Sequence, residues 1–173
     1  ISKFPAEVTA QMVSNFRAGG AAINQLSEAC GAKMDVYALD LDRPTADFTK
    51  TSAMTESELL KSLQIGWNSV DPTADLFVVG EMGIGNTTSA SAIMSVVMNI
   101  PATESVGRGT GISDDVVKRK QQIIEQALTL HQGNLKNAKE ILACLGGFEI
   151  VQIPAAMLAE DCLLPKNLTF SEK

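Results

Sequence analysis

No basic tract interrupts the 173 residues, and the formal charge is −6 with a pI near 4.8. A balance of that sign repels phosphodiester backbones and anionic lipid, so neither a nucleic acid nor a membrane surface is the expected partner. Apolar residues make up 45% of the chain, yet no run approaches the ~20 residues of a membrane-spanning helix. With a single histidine, His131, and no Cys-x-x-Cys, no zinc site is expected. His131 falls where a helical pattern ends and reads as a solvated cap. Cys30, Cys144 and Cys162 are far apart and odd in number, which predicts small buried residues in a reducing, cytoplasmic setting. Low complexity, internal repeats and a signal-peptide pattern are also missing from the string.

What the chain does have centres on Leu76-Phe77-Val78-Val79-Gly80-Glu81-Met82-Gly83-Ile84-Gly85-Asn86-Thr87-Thr88-Ser89. Four consecutive apolar residues predict a strand buried on both faces, running into a glycine-rich loop and then a helix. Gly80, Gly83 and Gly85 permit positive φ and close approach of a ligand to the main chain. Asn86, Thr87 and Thr88 suit a helix start whose first N–H groups can hold an anion. The residues after the glycines exclude two known phosphate loops. A Walker A loop needs Lys-Ser/Thr after its last glycine, and Thr88 occupies the place of the third glycine in Gly-x-Gly-x-x-Gly. By pattern alone, a phosphate site and a plain strand-to-helix turn remain open. Glu81 favours the site, because a carboxylate at a strand's carboxyl end lies where α/β sheets bind ligands.

Around that stretch, Pro5 opens a helix with Val8, Met12, Val13 and Phe16 on one face, and Gly19-Gly20 breaks it. A short helix from Ala21 to about Ala29 ends at Gly31, and Met34 to Leu39 reads as a strand, with Asp40 and Asp42 in a solvated loop beyond it. Thr55-Glu56-Ser57-Glu58 is a capping box for a helix striped by Leu59, Leu60, Leu63 and Trp67. The helix after the glycine loop stops at Asn99-Ile100-Pro101. Gly107, Gly109 and Gly111 form a second loop before a helix at Ser113-Asp114-Asp115. Arg108 within it either clamps a phosphate or pairs with a carboxylate that fixes the loop. Asn134 to Leu145 and Phe148 to about Cys162 are the last helices, the latter bent by Pro154. The alternation predicts one three-layer α/β domain over 1–162, Rossmann-like, with a mostly parallel sheet and flanking helices, and a tail over 163–173. Two strands make a small sheet, so further strands or a partner chain are expected to cover it.

Gly80 to Thr88, Val106-Gly107-Arg108-Gly109-Thr110-Gly111-Ile112 and the following Arg119-Lys120 together resemble the nicotinate-nucleotide:dimethylbenzimidazole phosphoribosyltransferase family of cobamide synthesis. Val8 to Phe16 with Gly19 to Asn24, and Gly146-Gly147-Phe148-Glu149-Ile150, match the same family in the same order. The matches span most of residues 4 to 158, the middle of a family member. The resemblance implies transfer of phosphoribose from nicotinate mononucleotide to 5,6-dimethylbenzimidazole, giving α-ribazole phosphate and nicotinate, by a homodimer without cofactor or metal. The expected substrate contacts are Gly83, Ile84, Gly85, Asn86, Thr87 and Thr88 from the loop and helix start, Arg108 in its phosphate-clamp reading, and Gln11 and Lys120 from the resemblance. Gln11 is expected to meet the aromatic base and Lys120 the phosphate or ribose. Glu81 is the one carboxylate in a family motif beside the phosphate loop, and is the expected catalytic residue.

Departures from the family carry their own expectations. An Asp-His-Gly motif that precedes the region of Ile1, a longer insertion between Asp42 and Ala53, and a carboxyl-terminal glutamate taken as the catalytic base are absent from this string. The chain is therefore expected to be an excised piece or a set of joined segments. The alternative to an active transferase is a truncated, weak or inactive member that binds nucleotide or serves as a structural remnant.

Overall fold

The computed structural model describes residues 4, 5, 7–108 and 111–163. Gly109 and Thr110 of the second glycine loop, and the expected tail apart from Leu163, lie outside the described residues. Helix α1, Glu7–Arg17, and helix α2, Ala22–Cys30, are joined at the Gly19 turn, where φ is +75°. Asn24 ties the joint from both sides, donating to Phe16 O at 3.0 Å and accepting from the Ala21 N–H at 3.1 Å. Gly31, at φ +65°, closes α2 with its N–H on Glu28 O, a left-handed cap that glycine adopts without a Cβ clash.

Helix α3, Glu56–Asn68, begins at the predicted capping box: Thr55 Oγ1 accepts from the Glu58 N–H, and Glu58 Oε2 accepts from the Thr55 N–H at 2.8 Å. It packs along helix α8, Phe148–Leu163, whose Pro154 sits inside a continuous helix. Met54, Leu59 and Val151 fill one end of this interface, and Val70, Ala156 and Ala159 the other. Between them Gly66 lies so close to Gln152 that a Cβ would overlap its carbonyl oxygen, which explains a glycine in mid-helix.

The larger core gathers helix α4, Thr87–Met98, the single turn α5, Ala102–Ser105, helix α6, Asp114–His131, and helix α7, Ala138–Leu145. Ala92, Ala102, Ile124, Ala127, Ile141, Cys144 and Leu145 are its buried members. The contact between α4 and α5 is polar instead: Ser91 Oγ donates to Ser105 O at 2.9 Å, and the Ser95 and Ser105 hydroxyls lie 2.7 Å apart. Chain 53–54 hooks the two cores together through Ala53 N–H to Cys144 O and Met54 N–H to Ala143 O. Among the described residues, no helix is long and apolar enough to cross a membrane.

The α/β expectation is overturned. Among the described residues there is no strand, and so no parallel sheet and no Rossmann-like layering. The physical reason is that a strand exists only through a partner's hydrogen bonds. Residues 34–39 and 76–79 make no main-chain hydrogen bond with any described residue. Nor is the second segment buried on both faces. Phe77 and Val79 pack against Val70, Ala156 and Ala159, whereas Leu76 and Val78 stand 72% and 78% exposed. Period-two alternation is therefore present without pairing. Three smaller expectations also change. His131 is buried, its Nε2 2.8 Å from Phe48 O, instead of being a solvated cap. Cys30 and Cys162 are exposed; of the three free cysteines only Cys144 is buried.

Candidate functional site

The glycine loop folds back on itself before α4. The Asn86 N–H donates to Gly83 O at 3.2 Å, Gly85 takes φ +87°, and the Ala90 N–H makes the first helical bond, to Asn86 O. Asn86 occupies the cap position but does not cap the helix with its side chain. Its amide is committed elsewhere, donating to Glu81 Oε2 at 2.5 Å and to Glu149 Oε1 at 3.1 Å. Glu81 Oε2 also accepts from the Gly83 N–H at 2.6 Å. One of the loop donors expected to hold an anion is thus already occupied by a carboxylate of the loop itself. Main-chain N–H groups of Gly85 and Thr87 donate to no described residue, so the helix start keeps anion-binding capacity beyond Gly83.

Lys120 supplies the charge. It reaches from α6 so that its Nζ donates to Thr87 Oγ1 at 2.8 Å, while the residue is only 4% exposed. No carboxylate among the described residues lies within ion-pair distance of it, and burial pushes its ammonium below the ordinary lysine pKa. Next to Thr87 in sequence, the hydroxyl of Thr88 is buried with no hydrogen-bond partner among the described residues. A buried cation with no counter-ion among the described residues, held on Thr87 at a helix start, suits a dianionic phosphate on electrostatic grounds.

A family model described as "Phosphoribosyltransferase" matches residues 1–161. The chain belongs to that family. It is 54% identical over 163 residues to the nicotinate-nucleotide–dimethylbenzimidazole phosphoribosyltransferase of Ruegeria sp. (strain TM1040), covering 94% of this chain and 48% of the relative. To the enzyme of the same name from Mesorhizobium japonicum it is 47% identical over 159 residues, with coverages of 92% and 47%. The crystal structure of CobT from Thermus thermophilus superposes with a TM-score of 0.76 at 33% identity, over 95% of this chain and 55% of that one. The chain therefore spans about half the length of the relatives it matches.

The residues expected at the site divide in two. Glu81, Gly83, Ile84, Gly85, Asn86, Thr87, Thr88 and Lys120 are brought together by the loop, the start of α4 and α6. Arg108 and Gln11 are not joined to them. Arg108 turns to Asp114, with a 3.4 Å bond to Ile112 O, which is the loop-fixing alternative to a phosphate clamp. Gln11 is exposed on α1 and makes no side-chain hydrogen bond among the described residues. The residue that sequence reasoning missed is Glu149. Its signal was present: a glutamate two places after a glycine pair, in a stretch already matched to the family.

Proposed function

We propose that the protein transfers phosphoribose from nicotinate mononucleotide to 5,6-dimethylbenzimidazole, yielding nicotinate and α-ribazole phosphate. The single observation that supports this reading best is the buried Lys120 ammonium on Thr87 at the start of α4, where the nucleotide phosphate would sit. The names of the relatives supply the substrate pair. A ring nitrogen of the base attacks the anomeric carbon as its bond to the pyridine nitrogen breaks. Positive charge develops on the ribose and then on the benzimidazole. A carboxylate removes the remaining N–H proton, and Glu81 at the loop takes that role in this chain. Its bonds to the Gly83 N–H and Asn86 hold the carboxylate oriented, which limits the reorganisation needed in the transition state.

The proposal includes a homodimer. Leu76, Val78, Val97, Met98 and Leu158 are large apolar side chains left exposed, and partner cover removes that cost. It also includes a cytoplasmic location, since a charged nucleotide is retained inside the membrane that encloses it. Light scattering and cell fractionation of the complete gene product test these two points. For the reaction, nicotinate release from the two substrates is measured with this 173-residue chain, its Glu81→Gln variant and the complete gene product. Loss of a general base lowers the rate about 10²–10⁴-fold. A wild-type protein that releases no nicotinate overturns the reaction, and an undiminished Glu81→Gln rate overturns the assignment of the base.

A further inference from the structure

The glycine loop and the start of α4 have two side-chain hydrogen bonds to distant parts of the chain among the described residues. One is Lys120 on Thr87; the other is Glu149 on Asn86. Glu149 stands in the first turn of α8, where the helix dipole favours a carboxylate. Its place is made by two glycines. A Cβ on Gly83 would lie 2.7 Å from Glu149 Cδ, and one on Gly147 would lie 2.7 Å and 3.0 Å from the two carboxylate oxygens. A Cβ at either place would push the carboxylate aside, so its present position depends on both glycines. Helix α8 is itself fixed along α3 through the glycine contact at Gly66.

Resting on the function proposed above, we infer that Glu149 is a positioning residue of the transferase site, bracing the phosphate loop against α8 through Asn86. Its importance follows from how Asn86 is shared. One amide nitrogen donates to Glu81 and to Glu149, and these two protons are all the donors that nitrogen has. Once the Glu81 carboxylate takes up a proton it is a weaker acceptor, so its bond from Asn86 weakens where it stands. Glu149 is then the group that keeps Asn86, and with it the turn from Gly83 to Thr87, in place. Glu149 touches no reacting atom. Its effect is on where Glu81 starts from and on where the loop N–H groups point.

The experiment uses the complete gene product with Glu149→Ala, Glu149→Gln, Asn86→Ala and the Glu149→Ala/Asn86→Ala double variant. It reads kcat and KM for nicotinate mononucleotide, its Kd by calorimetry, and the melting temperature. Misplacement of a loop by about an ångström costs on the order of a hundredfold, so Glu149→Ala is expected to lower kcat/KM by about tenfold to a hundredfold. Glu149→Gln keeps an acceptor oxygen for Asn86 and restores most of that loss. In the Asn86→Ala background, removing Glu149 changes little further, since the brace is already gone. Wild-type kinetics in Glu149→Ala, a Gln variant as impaired as Ala, or losses that multiply in the double variant would each overturn the inference. So would a lowered melting temperature with unchanged kinetics, which marks a purely structural residue. If the wild-type protein releases no nicotinate, the proposed reaction falls, and the Kd values read the brace alone. In that case weakened binding in Glu149→Ala with recovery in Gln supports it, and unchanged Kd overturns it.

Discussion

Replacing Lys120 by methionine should make the protein more stable and worse at binding its nucleotide. The substitution keeps most of the side chain's volume and removes the ammonium. Two consequences for folding oppose each other. The hydrogen bond to Thr87 is lost, worth about 0.5–1.5 kcal/mol, but Thr87 is exposed and water can replace the donor. Against this, the folded state no longer carries a desolvated cation without a carboxylate, a burden of several kcal/mol for a fully buried ion. The lowered ammonium pKa has the same cause, burial that favours the neutral form. The net expectation is a gain of about 1 kcal/mol, or roughly 2–4 °C in melting temperature for a chain of this size. Nucleotide binding moves the other way. A contact between a charged donor and phosphate contributes about 1.5–3 kcal/mol, so Kd for nicotinate mononucleotide should rise by roughly 10- to 150-fold. The same group sets a pH dependence. Unfolded Lys120 binds its proton more tightly than folded Lys120, so wild-type stability rises with pH between the lowered folded value and 10.5, while anion affinity falls as the proton leaves. Both slopes should flatten in Lys120→Met. Scanning calorimetry and titration calorimetry on the same samples decide the matter. A lower melting temperature with an unchanged Kd would refute the reasoning.

Gly66→Ala drives a methyl group into the Gln152 carbonyl and forces α3 and α8 apart; urea denaturation should show a loss of about 1–3 kcal/mol or more. Gly83→Ala meets only the ends of flexible side chains, Asn86 Nδ2 at 2.5 Å and the Glu149 carboxylate, so the melting temperature should hold within a few degrees. Nucleotide binding by calorimetry should nevertheless weaken about tenfold or more, because those two side chains are displaced from the loop. Thr55→Ala removes the capping box of α3 and should cost about 1 kcal/mol in the same denaturation assay, with no change in Kd.

What was legible in the sequence was what neighbours in sequence decide. Thr55 and Glu58 are three residues apart, and their reciprocal bonds follow from that spacing alone. Asn99 ending α4 at φ +52°, and Ser113 at the start of α6, are equally local. Strands are not. Residues 76–79 have apolar side chains that suit a sheet, but pairing is supplied from elsewhere, and no described segment supplies it. His131 was misread for the same reason, because its partner Phe48 is 83 residues away. At the site, the glycine loop stood out by composition and Lys120 by resemblance, whereas the connection from Glu149 to Asn86 spans 63 residues and has no local trace.

The serine seam under α4 has a consequence for aim. A helix resting on apolar side chains can slide or roll with little change in contact, since dispersion has no preferred direction. Hydrogen bonds do have one. With Ser91 on the Ser105 carbonyl and Ser95 on the Ser105 hydroxyl, α4 is held at one rotation and one height. Slippage by a single residue means about 100° of turn and 1.5 Å of travel. That would carry the Thr87 hydroxyl away from Lys120 and turn Thr88 out of its buried position. Two hydroxyl contacts one and two turns along the helix thus act as a sight, setting the direction in which the helix start faces an incoming phosphate.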